Sequence, residues 1–451
     1  MDILLSSIPV FLLGTGFFYI FRLKAFYFRH PVRILRSIFR RKSTSGISPM
    51  KALSMALAGT LGVGNIVGVA TALYLGGAGA VFWMVFSALV AMVLKYVEIV
   101  LAVKHRRFDE NGRPTGGAPY YIQDGLAKVG LPRLGRLLGW SFGILCLVNT
   151  FTMGSMLQAN AVAGAMNEGF RIPLWLTGLL IAALCVLVLK GGAVRIASVT
   201  EKIVPVMTVG FLGLCLGVLI LRYDRIMPAV CEILQKAFDF SSVGGGVFGF
   251  LTSQGVRYGI MRGLVSNEAG CGTAPMAHAA AETESPAEQG VLGLVEVFVD
   301  TVLLCTVTAL AILVSDSGPN AFGEDGVRTA QTAFSSVLGD WAGWFFAVSV
   351  LFFGVATVLC WAHYGMTSIR AITAGHERVR RLGERLFPPA YAISVMAGTL
   401  ASPAEVWTLA DGALGIMTVI NLLILLLMHK EVASETSVMM DQTSVRKDRL
   451  P

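Results

Sequence analysis

Two glycine-rich stretches carry the residue types that could do chemistry in this chain. The first is Ala58-Gly59-Thr60-Leu61-Gly62-Val63-Gly64-Asn65-Ile66-Val67-Gly68. Gly62, Gly64 and Gly68 fall inside a long apolar run, and glycine weakens a helix. A break there frees backbone N–H and C=O groups, which cannot face lipid and must find protein, water or ligand. Freed N–H groups at a half-helix N-terminus suit a carboxylate, and freed carbonyls suit a cation. The alternative is an unbroken helix with Gly64 and Gly68 as a packing face, but Gly59, Gly62 and Asn65 are not needed for that. No strand precedes Gly62-x-Gly64, so a dinucleotide site is set aside.

The second stretch includes Gly244-Gly245-Gly246, Ser253-Gln254-Gly255 and Ser266-Asn267-Glu268-Ala269-Gly270-Cys271-Gly272. Residues 252–255 and 265–272 both qualify as a break. The latter is favoured, because small residues flank Asn267 and Glu268 and permit an unwound turn. An ordinary helix cap at the cytoplasmic side is the alternative. Elsewhere, Gln158 and Asn160 are two apart in one span and diverge on a helix, so one can face a pocket while the other packs. Thr357 and Trp361 share a face at i and i+4. A hydroxyl can complete a cation shell, and a Trp can cover a substrate. Asp300 lies mid-span, where carboxylates are costly and usually paired, with Arg257 and Arg262 as expected partners. Lys95 and Glu98 are expected to pair with each other.

The elements that must position these residues are helices in a membrane. Of the 451 residues 55% are hydrophobic and 14% charged, with a mean hydropathy of +0.70. Soluble domains carry about 25% charged residues. Eleven spans are expected, near 3–22, 50–74, 79–103, 137–165, 172–190, 200–221, 243–265, 288–314, 339–369, 387–402 and 405–428. The tenth, short and opening on Pro388-Pro389, is the weakest, and ten is the alternative count. The net charge of +8 resides in loops between spans and reads as membrane orientation, not nucleic-acid binding.

Arg22 to Lys42 holds eight Lys/Arg and no acid, which places that loop in the cytoplasm. Ile34, Leu35, Ile38 and Phe39 share one helical face there, with Arg33, Arg36 and Arg40 elsewhere, as in an interfacial helix on anionic lipid. Lys104-His105-Arg106-Arg107 and Arg370–Arg385 then fall inside, and Asp316, Glu324 and Asp325 outside. The N-terminus is expected outside, and the tail from Lys430 to Pro451 inside and disordered. Ser48-Pro49 reads as a helix start. The seven cysteines are scattered and read as reduced packing residues. No His or Cys spacing marks a metal site or a hydrolase, and no repeated polar ring marks a channel.

These motifs resemble the alanine or glycine:cation symporter family. The carrying segments are Gly64-Asn65-Ile66-Val67-Gly68-Val69-Ala70-Thr71-Ala72, Gly117-Ala118-Pro119-Tyr120-Tyr121-Ile122, Thr200-Glu201-Lys202-Ile203-Val204-Pro205, and Arg257-Tyr258-Gly259 through Ser266-Asn267-Glu268-Ala269-Gly270 to Ala274-Pro275. The resemblance runs from about residue 10 to 428 and implies an all-α, leucine-transporter-like membrane fold. In that fold, two inverted five-helix repeats would occupy 50–222 and 223–428. An extra N-terminal helix (1–23), a basic cytoplasmic segment (24–49) and a tail (429–451) would flank them.

The same resemblance implies a secondary transporter of the cell membrane, not an enzyme. It would import a small neutral amino acid, alanine or glycine, with sodium and no other cofactor. The same fold run on protons, or with another small amino acid, is the alternative. By position, amides of Val63 and Gly64, beside Asn65, would hold the substrate carboxylate. Carbonyls of Ala58 and Leu61 with the Thr357 hydroxyl would hold sodium. Gln158 or Asn160, Trp361 and the turn of Ser266, Asn267 and Gly270 would frame the rest. Val63 stands where the family usually has Thr, which removes a hydroxyl beside the substrate. Cys271 and Thr273 stand where Met and Ser are usual.

Overall fold

The computed structural model describes residues 2–29, 31, 46–108, 112–239, 253–321, 323 and 325–447. The proposed interfacial helix around Ile34–Phe39, Gly244–Gly246 and Glu324 lie outside the described residues. Among the described residues the regular structure is helical apart from one antiparallel strand pair, Arg107–Phe108 with Pro114–Thr115.

Helix α1 (Asp2–Arg22) precedes α2 (Pro49–Thr60), which starts as the sequence implies: Ser48 Oγ accepts from Lys51 N at 3.2 Å, with Pro49 in the first turn. A 58° bend separates α2 from α3 (Val67–Gly76). Then come α4 (Gly79–Lys104), the short α5 (Ala118–Lys128), α6 (Pro132–Phe170), α7 (Leu174–Leu189), α8 (Gly192–Leu221) and α9 (Tyr223–Ala237). The second half holds α10 (Gln254–Asn267), α11 (Pro275–Ala279), α12 (Pro286–Val314), α13 (Gly326–Leu338), α14 (Asp340–Ile372), α15 (Glu377–Gly398), α16 (Pro403–Leu427) and α17 (His429–Lys447).

Among the described residues six helices, α4, α6, α8, α12, α14 and α16, are long and apolar enough to cross a membrane, and α2 with α3 passes as one broken span. Ser7–Arg22 and α7 are shorter apolar helices. The expected seventh and tenth spans do not pass on length and apolarity. Only part of the seventh is described, as α10, and α15 opens on the charged run Glu377–Arg385. The most buried spans are α4 and α14. Helix α4 packs on α10, α12, α1 and α9, and α14 packs on α6, α8, α13 and α2. The extra helix α1 lies against α4 and α16, where Tyr19 Oη donates to Leu425 O at 2.5 Å.

The C-terminal tail corrects the expectation of disorder. Through Lys447 it forms α17, because a hub of charge docks it on the ends of α4 and α5. Glu431 receives Lys128 Nζ at 2.7 Å, His105 Nε2 at 2.8 Å and Lys104 Nζ at 3.3 Å. Lys104 also reaches Glu435 at 2.8 Å, and Tyr96 Oη meets Thr436 Oγ1 at 2.8 Å. Burial pushes the Glu431 carboxyl up, but Lys128 and His105 outweigh it and draw it down to about 2. A depressed carboxyl contributes stability above its unfolded value, and that contribution is lost as pH falls through the folded value. Docking of α17 should therefore hold at neutral pH and weaken as pH falls from about 4.3 toward about 2. Glu431→Gln should undock α17 at neutral pH and raise amide exchange over 429–447 about tenfold, the equivalent of about 1.4 kcal/mol. Unchanged exchange in that variant would show that apolar packing alone holds the helix.

Candidate functional site

At the first break α2 stops at Thr60, Gly62 is extended (φ −111°, ψ −164°), and Val63–Asn65 make a single 3₁₀ turn. Side chains replace the lost helical bonds. Gly62 N donates to Asn65 Oδ1 and Val63 N to Gln158 Oε1, each at 3.1 Å. Gln158 is aimed by a π turn at Thr152–Met156 inside α6, and its Nε2 donates to Met153 O at 3.1 Å. Such a turn inserts one residue and so rotates the next turn of helix to a new angle. Gly62 is required for space: a Cβ there would lie 2.8 Å from Thr357 Oγ1 and 3.0 Å from Gln158 Oε1. The Thr357 hydroxyl reaches back to Ala58 O at 2.9 Å. One turn on, Trp361 is fully buried, its ring 5.3 Å from that of Tyr364 and packed on Gly154 of the π turn. Gly68 meets nothing within 4 Å of a built Cβ, so it is not a packing contact.

The second break falls after Asn267, within 265–272. Glu268 is left-handed (φ +53°), as are Gly270 (φ +90°) and Gly272 (φ +77°), and α11 resumes at Pro275. Residues 263–281 are all buried, so this turn is interior to the protein and not a solvated cap. A left-handed non-glycine residue costs about 1–3 kcal/mol. The turn is held by Asn267 Oδ1, which accepts from Ala269 N at 3.0 Å.

The two breaks meet. A Cβ built on Gly64 lies 3.9 Å from Ser266 Cα. Asp300 joins them from a second π turn, Phe298–Cys305 in α12. Asn65 Nδ2 donates to Asp300 Oδ1 at 2.7 Å, and Ser266 Oγ and Thr301 Oγ1 donate to Oδ2 at 2.8 and 2.7 Å. All four side chains are buried.

The structure thus gathers Ala58, Leu61, Val63, Gly64, Asn65, Gln158, Ser266, Thr357 and Trp361 around the first break. Asn160 points away, its Nδ2 donating to Gly398 O at the end of α15 and to Ala401 O just after it. Two residues on from Gln158, it has rotated off the site. Asn267 faces Thr301 Oγ1 at 3.1 Å, and the Gly270 carbonyl accepts from Asn421 Nδ2 at 2.9 Å, so both brace the turn from behind.

The expected charge pairs also change. Asp300 is held by hydroxyls and an amide, while Arg262 lies over the Trp407 ring at 4.4 Å and Arg257 over Tyr258 at 6.0 Å. Lys95 pairs with Glu296 at 3.3 Å, and Glu98 instead accepts from Gly272 N at 2.9 Å and Asn421 Nδ2 at 2.5 Å. Spacing along one helix named Glu98, but the helix that packs across from Lys95 decided its partner. Sequence reading singled out Asp300 for being charged and mid-span, and missed that it serves both breaks.

Two helices interrupted at facing buried turns define a secondary transporter of the leucine-transporter-like fold. A substrate-bound, outward-open Na+-coupled sialic acid symporter shares that fold, with a TM-score of 0.61 at 11% identity over 94% of this chain and 86% of that one. The chain belongs to the sodium:alanine symporter family, whose profile matches residues 2–450. It is 36% identical over 433 residues to a sodium/alanine symporter of Methanococcus maripaludis, covering 95% of this chain and 92% of the relative. It is 34% identical over 455 residues to a probable sodium/glutamine symporter of Bacillus subtilis, covering 99% and 91%. It is therefore a multi-pass membrane transporter, an amino-acid:cation symporter and not an enzyme.

Gly62→Ala should lower transport at least about tenfold at normal protein level, because the added methyl collides with Thr357 and Gln158. Gly68→Ala, with open space around it, should stay within about twofold. Equal activity of the two variants would remove Gly62 from the site.

Proposed function

We propose that the chain imports a small neutral amino acid, alanine and/or glycine, together with sodium. The observation that carries this reading is the contact of the Thr357 hydroxyl with the Ala58 carbonyl at 2.9 Å, beside the opened backbone of residues 61–65. Those two oxygens, with the Leu61 carbonyl, are the donors a sodium ion would take. Unwound carbonyls near the midplane serve this purpose in transporters. The Val63 amide already faces an oxygen acceptor, Gln158 Oε1. A substrate carboxylate would take that amide and the Gly64 amide, displacing Gln158 to the substrate. Asn65, fixed by Asp300, and Ser266 would frame the substrate with Asn267 and Gly270 behind, and Trp361 would limit its size.

Uptake into proteoliposomes tests both parts. Alanine should compete with labelled alanine about a hundredfold better than alaninamide or ethylamine, because a charge-assisted carboxylate site contributes roughly 3 kcal/mol. An amide that competes equally would rule out the anion site. Thr357→Val keeps the side chain's shape and removes its oxygen. It should weaken apparent sodium affinity at least about tenfold, and an unchanged sodium dependence would reject the sodium assignment.

The reading includes an orientation. The N-terminus is outside, residues 22–47 and α17 are cytoplasmic, and 50–222 and 223–428 form the two repeats. The eight basic residues of the first loop support it. An impermeant thiol reagent on intact cells should label the exposed Cys231 and spare a Ser43→Cys variant. The reverse pattern would invert the topology.

A further inference from the structure

A second polar cluster lies behind the second break, and none of its charged residues belongs to the amino-acid site proposed above. Its charged members, Lys95, Glu98, Glu268 and Glu296, are fully buried, as is His278. Lys95 pairs with Glu296 Oε1 at 3.3 Å. His278 Nε2 meets Glu296 Oε2 at 3.0 Å, and Gln289 Nε2 meets His278 Nδ1 at 2.9 Å. Glu268 Oε2 accepts from Thr273 Oγ1 at 2.6 Å. Glu98 Oε2 and Glu268 Oε1 remain buried with no hydrogen-bond partner among the described residues.

Three carboxylates therefore face one ammonium in a site sealed from water, and the ammonium is already in contact with Glu296. A buried charge without a partner is strongly disfavoured. The orphaned oxygens mark where positive charge is missing. Among the described residues no three His, Cys, Asp or Glu side chains are placed to hold a metal ion, and a proton is the smallest charge that fits.

We propose that this cluster is a proton-binding site, with Glu268 as the group that takes the proton. The proton comes from water while the site is open. It forms an O–H bond at Oε1, leaves Thr273 on Oε2, and returns to water on the opposite swing. No electron moves. Glu268 is also the left-handed residue of the break, two positions from Ser266, so its charge sits inside the turn that packs against the first break. The titratable groups around it are Lys95 and Glu98 on α4, His278 on α11, Glu296 and Asp300 on α12, Cys146 on α6, Cys360 and Tyr364 on α14, and Cys271 in the turn. Tyr121 of α5 joins through Asn421, which it meets at 2.5 Å.

The proposal is independent of the sodium reading, which fails on sodium affinity, whereas this one fails on pH dependence. The full-length chain in proteoliposomes is assayed for alanine uptake at saturating sodium across roughly pH 5 to 8. Wild type should show one ionisation in that profile, and Glu268→Gln should flatten it. Glu98→Gln removes a negative neighbour and should move the midpoint to lower pH by about one unit. A Glu268→Gln profile parallel to wild type overturns the assignment, and so does a profile that His278→Gln flattens instead. For variants that do not fold, purified wild type in weak buffer is given sodium and alanine with a pH dye present. Proton release or uptake supports the site, and no exchange overturns it. If Glu268→Gln changes sodium affinity and leaves the pH profile intact, the occupant is a cation and the proposal is wrong.

Discussion

One buried carboxylate holds the two broken helices to each other. Asp300 takes Asn65 on one oxygen and Ser266 and Thr301 on the other. Without it, the Asn65 amide would keep only the backbone carbonyl of residue 300 at 3.1 Å and the Cys305 sulfur at 3.4 Å, and the Ser266 hydroxyl only that same weak sulfur partner at 3.4 Å. With it, two segments that have given up helical hydrogen bonds share one acceptor. The acceptor belongs to α12 and the donors to the two breaks, so three segments are tied at one carboxylate.

The π turns show how the chain sets such groups in place. Each interrupts a long apolar span, Thr152–Met156 in α6 and Phe298–Cys305 in α12. The first aims Gln158 at Val63 N, and the second places Asp300 between the breaks. A regular helix would carry the same residues at other angles. The glycines have a separate role, which is room: Gly62 admits the Thr357 hydroxyl, and Gly154 admits the Trp361 ring. The first break is thus open backbone ringed by the side-chain oxygens of Asn65, Gln158 and Thr357. The second break faces two ways. Ser266 looks toward the first, and Glu268, turned by its left-handed backbone, looks into the charged cluster of α4 and α12.

Much was determined by the sequence alone. Low charge and long apolar runs require a lipid environment, because so little of the chain can face water. Glycines at mid-span depth point to the first break, since they weaken the helix and free backbone groups that lipid cannot satisfy. Small residues around Asn267 and Glu268 locate the second. The linked motifs identify the family. Tertiary structure decided the pairings. Asn65 and Asp300 are 235 residues apart, and no local spacing encodes that contact. Helical periodicity separates Gln158 from Asn160 but cannot say which faces inward, and it joins Lys95 to Glu98 only until α12 supplies Glu296 across the interface. The tail is polar by composition and helical in fact, because Lys104, His105 and Lys128 converge on Glu431 only once α4 and α5 are packed. Local rules settle where a helix can break, and three-dimensional packing settles which buried charge it meets there.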